Sequence, residues 1–144
     1  MSADSEFGAE GNAARAVKGR KKESTLSHQR TLERPVRSEG IGLHTGEKVS
    51  ITLYPAPTNR GVIFRRTDLP AAPTIEARPE NVVDTQNATT IAKGGVSVKT
   101  IEHLMSALAA MGVDNVQVDL TGPEVPILDG SAAPFVALLK TAGI

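Results

Sequence analysis

The apolar residues of this chain change rhythm along its length, and that change restricts the fold more than any single motif. Val49, Ile51 and Leu53 alternate with Ser50, Thr52 and Tyr54, the period of two that marks a half-buried strand. Ile101, Leu104, Met105, Leu108 and Met111 then follow the three-and-four spacing of a helix that buries one stripe. Val116, Val118 and Leu120 return to alternation, and Ala132 to Thr141 reads as a second helix with Ser131 as N-cap, Pro134 in its first turn and Gly143 at its end. Short strands interleaved with two helices predict an α+β class: a two-layer sandwich in which a mixed sheet carries helices on one face.

Local punctuation fills in the rest. Leu32 to Ser38 is expected to open the domain as a strand. Gly40-Ile41-Gly42-Leu43-His44-Thr45-Gly46 has glycines where turn dihedrals are needed and predicts a compact, structured turn. Pro55 and Pro57 stop the strand of Val49 to Leu53. Val62 to Arg65 is expected to return beside it as a hairpin through Thr58-Asn59-Arg60-Gly61. Thr89-Thr90-Ile91 and Val96-Ser97-Val98 flank Lys93-Gly94-Gly95, a second predicted hairpin. Thr100 is the expected N-cap of the first helix and Gly112 its C-cap.

Before that pattern, residues 1–30 contain few large apolar side chains and include Lys18-Gly19-Arg20-Lys21-Lys22, so they read as a disordered extension with residues 31–144 as the domain. Sixteen basic residues offset sixteen acidic ones, and the aromatics are Phe7, Tyr54, Phe64 and Phe135 alone. A chain without a basic field or stacking platforms is not expected to bind nucleic acid. Cysteine is absent, which removes disulfides and thiolate chemistry and suits a reducing compartment. No apolar run approaches the roughly 20 residues of a transmembrane helix, and no secretory core is expected at the N-terminus, so a cytoplasmic location is the expectation.

The chemistry concentrates at Thr100-Ile101-Glu102-His103-Leu104-Met105. About 100° per residue turns Glu102 and His103 away from the apolar stripe, near the helix N-terminus. The helix dipole there favours an ionised carboxylate and a neutral imidazole, the forms suited to a base and a metal ligand. Taken alone, the pair also reads as ordinary, since a first-turn Glu offsets the dipole and a lone His is commonly structural.

Six segments taken together resemble the N-terminal half of the UDP-3-O-acyl-N-acetylglucosamine deacetylases. They are the glycine-rich turn at 40–46, Arg65-Arg66-Thr67-Asp68-Leu69, Asp84-Thr85, Thr100 to Leu104, Gly112-Val113-Asp114-Asn115, and Pro126-Ile127-Leu128-Asp129-Gly130-Ser131-Ala132-Ala133-Pro134-Phe135. The resemblance implies a domain similar to a ribosomal-protein fold, the first half of a two-domain enzyme. It implies zinc-dependent hydrolysis of the 2-acetamido group of a UDP-linked acylated glucosamine, releasing acetate in lipid A biosynthesis. Glu102 matches the family's general base and His103 its first zinc ligand. His44 matches a histidine near the site, and Gln86-Asn87-Ala88 occupies a loop at the substrate edge. Asp129 and Ser131 read as turn and capping residues. The family's other zinc ligands and its catalytic His belong to a second domain with no counterpart here, so this chain alone is expected to bind Zn²⁺ weakly and to be inactive without a second domain or a separately encoded half. The alternative expectation is a non-catalytic binding module or remnant that needs a partner chain; a structural or nucleic-acid-binding role is disfavoured by the charge balance.

Overall fold

The computed structural model describes residues 28–144. Of the expected extension over residues 1–30, residues 1–27, with the basic cluster, lie outside them. Gln29 and Arg30 bond to the domain. The Arg30 carbonyl accepts from the amides of Asp114 and Asn115 at 2.9 and 3.2 Å, the Arg30 amide donates to Asp114 Oδ2, and the Gln29 side chain bonds both Asn59 and Asn115. Polar groups make this contact, which a search for apolar side chains does not register.

The main sheet has five strands: β1 (Val36–Ile41), β2 (Lys48–Pro55), β3 (Val62–Arg66), β4 (Thr74–Glu76) and, from later in the chain, β8 (Val116–Leu120). Their order is β1-β2-β8-β3-β4. A second sheet consists of β5 (Val82–Asp84), β6 (Thr90–Lys93) and β7 (Val96–Val98), all antiparallel. Two helices, α1 (Glu102–Met111) and α2 (Ala133–Ala142), complete the domain. The α+β class and the mixed main sheet are as expected, and the hairpin of β6 and β7 forms with Gly94 and Gly95 at positive φ.

The expected hairpin between β2 and β3 does not form. β8 inserts between them, antiparallel to β2 with Leu53 opposite Val118, and parallel to β3 with Phe64 opposite Val118. Val116, Val118 and Leu120 are fully buried, so the center of the sheet is the better place for this apolar strand. The opening strand also sits later than expected, at Val36–Ile41, and takes in the first two residues of the glycine-rich segment. Pro55 ends β2 from within, as its last residue.

One hydrophobic core joins strands and helices. Val49, Ile51 and Leu53 of β2 meet Leu104, Ala107 and Leu108 of α1 and Phe135, Leu139 and Ala142 of α2 within a single buried cluster. The residues between them on β2, Ser50 and Thr52, stay partly exposed, so this strand buries one of its two faces. Arg66, only 7% exposed, ties the two sheets together: its guanidinium pairs with Asp68 at 2.7 Å and donates to the Ser97 carbonyl on β7. That pair holds the Asp68 carboxyl below its ordinary value, the Arg66 hydrogen bond outweighing the opposing effect of burial.

Candidate functional site

The start of α1 is built differently from the capped N-terminus that Thr-Ile-Glu suggests. Ile101, not Thr100, is the N-cap, and no side chain caps the helix. Thr100 has φ 62°, a left-handed conformation that strains a β-branched residue by about 1–3 kcal/mol and persists only where surroundings enforce it. Its hydroxyl, buried at 2% exposure, turns away from the helix and donates to Glu124 Oε2 at 2.7 Å. At the other end of α1 the expected C-cap holds, with Gly112 left-handed at φ 71°. Ser131 likewise does not stand at the N-cap of α2; that position is Ala132, while the Ser131 hydroxyl accepts from the Ala133 amide at 3.2 Å and donates to Asp129.

Glu102 is half-buried in the first turn of α1. The Thr89 amide donates to its Oε1 at 3.0 Å, and the Thr89 carbonyl accepts from the Ile101 amide at 3.2 Å. One residue ahead of β6, Thr89, thus grips both the carboxylate and the backbone that leads into the helix. Among the described residues Oε2 of Glu102 takes no hydrogen bond. Beside it opens a largely apolar cavity of about 470 Å³, lined by Ala77, Pro79, Val82, Ile91, Ile101 and Met105 together with Arg78, Thr89 and Glu102. A carboxylate with one oxygen anchored, at the border of a largely apolar hollow, is suited to taking a proton there.

On the far side of Ala88 and Thr90 lies a smaller, more polar hollow of about 100 Å³, bordered by His44, Asp84, Asn87 and Lys99. His44, Asn87 and Ala88 are therefore brought together, and Thr89 connects their segment to Glu102. Gln86 is set apart, exposed over a shallow depression with Val82, Val83, Asp84 and Thr85, its amide donating to Asp84 Oδ1. His103 is half-buried beside Glu102 on α1 and lines neither hollow.

Sequence reasoning missed Glu124. It is 1% exposed, among the most buried side chains in the domain. Besides the Thr100 hydroxyl, its carboxylate accepts from the amides of His44, at 3.1 Å to each oxygen, and of Thr45, at 3.0 Å. Gly42 lies so close that a Cβ there would stand 2.5 Å from Glu124 Oε1, which is why that turn needs a residue without a side chain. The one available signal was an acidic residue inside the otherwise apolar run Pro123-Glu124-Val125-Pro126-Ile127-Leu128.

Burial pushes the Glu124 carboxyl up, but the Thr100 hydroxyl and the Thr45 and His44 amides outweigh it and hold the carboxyl below its ordinary 4.5. A carboxyl depressed in the folded state contributes stability that is complete above its unfolded value and disappears as pH falls through the lower, folded value. The melting temperatures of the wild-type chain and of Glu124→Gln are therefore expected to differ most near neutral pH and to converge as the solution is acidified below the ordinary Glu range. A difference that stays constant from neutral to acidic pH would contradict this account.

A catalytic zinc takes about three protein donors. Among the described residues no three of His, Cys, Asp and Glu come close enough to hold a metal ion. No helix among them is long and apolar enough to cross a membrane.

Residues 29–144 match the family model described as LpxC: UDP-3-O-acyl N-acetylglycosamine deacetylase. Curated proteins named UDP-3-O-acyl-N-acetylglucosamine deacetylase are similar to the chain. That of Methylococcus capsulatus is 56% identical over 116 residues, 81% of this chain and 38% of its own length. That of Myxococcus xanthus is 56% identical over 117 residues, 81% of the chain and 37% of its own. For Marinobacter nauticus the identity is 57% over 119 residues, 83% and 39%. The chain thus spans under two fifths of the length of these relatives.

Proposed function

Because the chain belongs to the UDP-3-O-acyl-N-acetylglucosamine deacetylase family, we propose that it forms the N-terminal half of a deacetylase that removes the acetyl group from a UDP-linked acylated glucosamine, in the cytoplasm, toward lipid A. The observation that carries this reading is the anchored Glu102: its Oε1 is fixed by the Thr89 amide and its side chain borders the largely apolar cavity. Glu102 takes a proton from water, the water oxygen bonds to the acetamido carbon, and the C–N bond breaks to give acetate and a free amine. General-base assistance of this kind contributes about 10²–10⁴-fold.

In this reading His103 is one donor to the zinc that the family resemblance implies, which supplies electrophilic activation of the carbonyl when bound. The remaining donors, like the proton donor to the departing amine, come from a second domain or a separately encoded half. His44, Asn87 and Ala88 border the substrate edge, and Gln86 lies at its periphery. The mismatch between one well-placed histidine and the three donors a zinc needs supports the further proposal that the chain is inactive by itself.

The test is to measure Zn²⁺ binding and acetate release by this chain alone, then joined to the remainder of a relative such as the Methylococcus capsulatus enzyme. Weak zinc binding and no turnover alone, with chelator-sensitive turnover in the joined protein, is the expected result. Turnover by the isolated chain would overturn the claim of incompleteness. A joined protein that folds, binds zinc and remains inactive would overturn the enzymatic reading in favor of a binding module.

A further inference from the structure

We propose that Glu124 is a positioning residue for this site: its buried carboxylate sets the glycine-rich turn carrying His44 and the start of α1 carrying Glu102 and His103 in fixed relation. The inference rests on the function proposed above and adds a residue outside the hollows that flank Glu102.

Glu124 is first fixed by its own backbone. Lys99 and Glu124 form a parallel bridge, in which the Lys99 amide donates to the Pro123 carbonyl at 2.8 Å and the Val125 amide donates to the Lys99 carbonyl at 3.0 Å. From that anchor one carboxylate reaches two segments more than fifty residues apart, the Thr100 hydroxyl on one side and the amides of His44 and Thr45 on the other. Every donor faces the carboxylate, and burial at 1% exposure leaves water little part in satisfying it. A Gln side chain offers one acceptor oxygen where two are used and turns an N–H₂ group toward N–H donors.

Thr100 shows that the arrangement constrains the helix start. Its left-handed backbone is unfavorable for threonine, and its hydroxyl is committed to Glu124 rather than to α1. Two residues later comes Glu102. A turn fastener alone needs no bond to the residue that leads into a catalytic helix; a part that registers the His44 turn against that helix does.

The experiment has two arms. In this chain, amide hydrogen exchange is measured for wild type, Glu124→Gln, Thr100→Val and Thr100→Ser. Glu124→Gln is expected to speed exchange at His44 and Thr45 by more than about tenfold, the scale of a charge-assisted hydrogen bond, while the sheet amides of Leu53 and Val118 stay protected. Unchanged exchange at His44 and Thr45, or equal acceleration throughout the domain, would overturn the proposal, the second result marking a role in general stability only.

In the joined deacetylase, Glu124→Gln and Thr100→Val are expected to lower kcat by about tenfold or more with KM held within about twofold, and Thr100→Ser, which retains the hydroxyl, to keep wild-type kcat. An unchanged kcat in Glu124→Gln, or the same loss in Thr100→Ser as in Thr100→Val, would overturn the positioning role. If Glu124→Gln does not fold, Thr100→Val removes a single hydrogen bond and decides the question by the same two measurements. Absence of turnover in the joined wild type would refute the proposed function instead, and the exchange arm would still decide whether Glu124 registers the two segments.

Discussion

Glu102→Gln in the joined deacetylase is expected to lower the rate of acetate release by about 10²–10⁴-fold, the range a positioned general base contributes. The substitution is conservative in every respect but one. Gln has the same shape, and its amide oxygen can still accept from the Thr89 amide, so the grip of the β6 approach on the helix start is retained. What disappears is the basic carboxylate at the border of the cavity. The loss should fall on kcat, with KM nearly unchanged, because proton removal is a feature of the transition state and not of substrate binding. The melting temperature should move little, since a half-buried surface carboxylate whose one hydrogen bond survives carries less than about 1 kcal/mol of stability. A fall of less than about fivefold in kcat would remove Glu102 from the role of base.

That prediction depends on residues that were legible in the sequence because their signals are local. Helical spacing from Ile101 to Met111 located α1 and set Glu102 and His103 at its start, and Gly112 ended the helix as its conformation requires. The β6–β7 hairpin was visible from the two glycines that turn it. The pairing of β2 was not, because its neighbor β8 lies more than sixty residues further along, and alternation in a strand says which face is buried but not which strand lies beside it. Proximity in sequence favored β3 as the partner, and the apolar β8 displaced it to the next position.

The reading of Thr100 failed for a related reason. A threonine ahead of an apolar helix is the usual sign of an N-cap, and nothing nearby in sequence shows that its hydroxyl is claimed by a carboxylate twenty-four residues away. Glu124 was hidden behind the Gly122-Pro123 break, which reads as loop, although a charge among Val125, Pro126, Ile127 and Leu128 is the pattern of an acid that burial forces to find donors. The candidate residues Glu102, His103 and His44 were named from motifs; the contacts around Glu102 and His44 are tertiary and became visible only in the fold.

The largest effect on stability is expected from Phe64→Ala. Phe64 is fully buried in β3, opposite Ile75 on β4 and Val118 on β8, at the junction of an antiparallel and a parallel pairing. Truncation removes a ring from a packed interior and leaves a cavity that the two flanking strands, fixed by their backbone ladders, cannot close. Such changes cost about 3–5 kcal/mol. Domains of this size hold about 5–15 kcal/mol in total, so the midpoint of thermal unfolding should fall by about 10–20 °C. Urea unfolding should show a lower midpoint with an unchanged slope, the mark of lost stability without a change in the exposed surface. None of the hydrogen bonds that place Glu102, Thr100 or Glu124 comes from β3. Below its reduced midpoint, Phe64→Ala joined to the second domain should therefore retain kcat, the converse of Glu102→Gln. If the two variants instead lost activity and stability together, the chemistry at Glu102 would not be separable from the packing beneath it, and the assignment of a base held by local hydrogen bonds would fail.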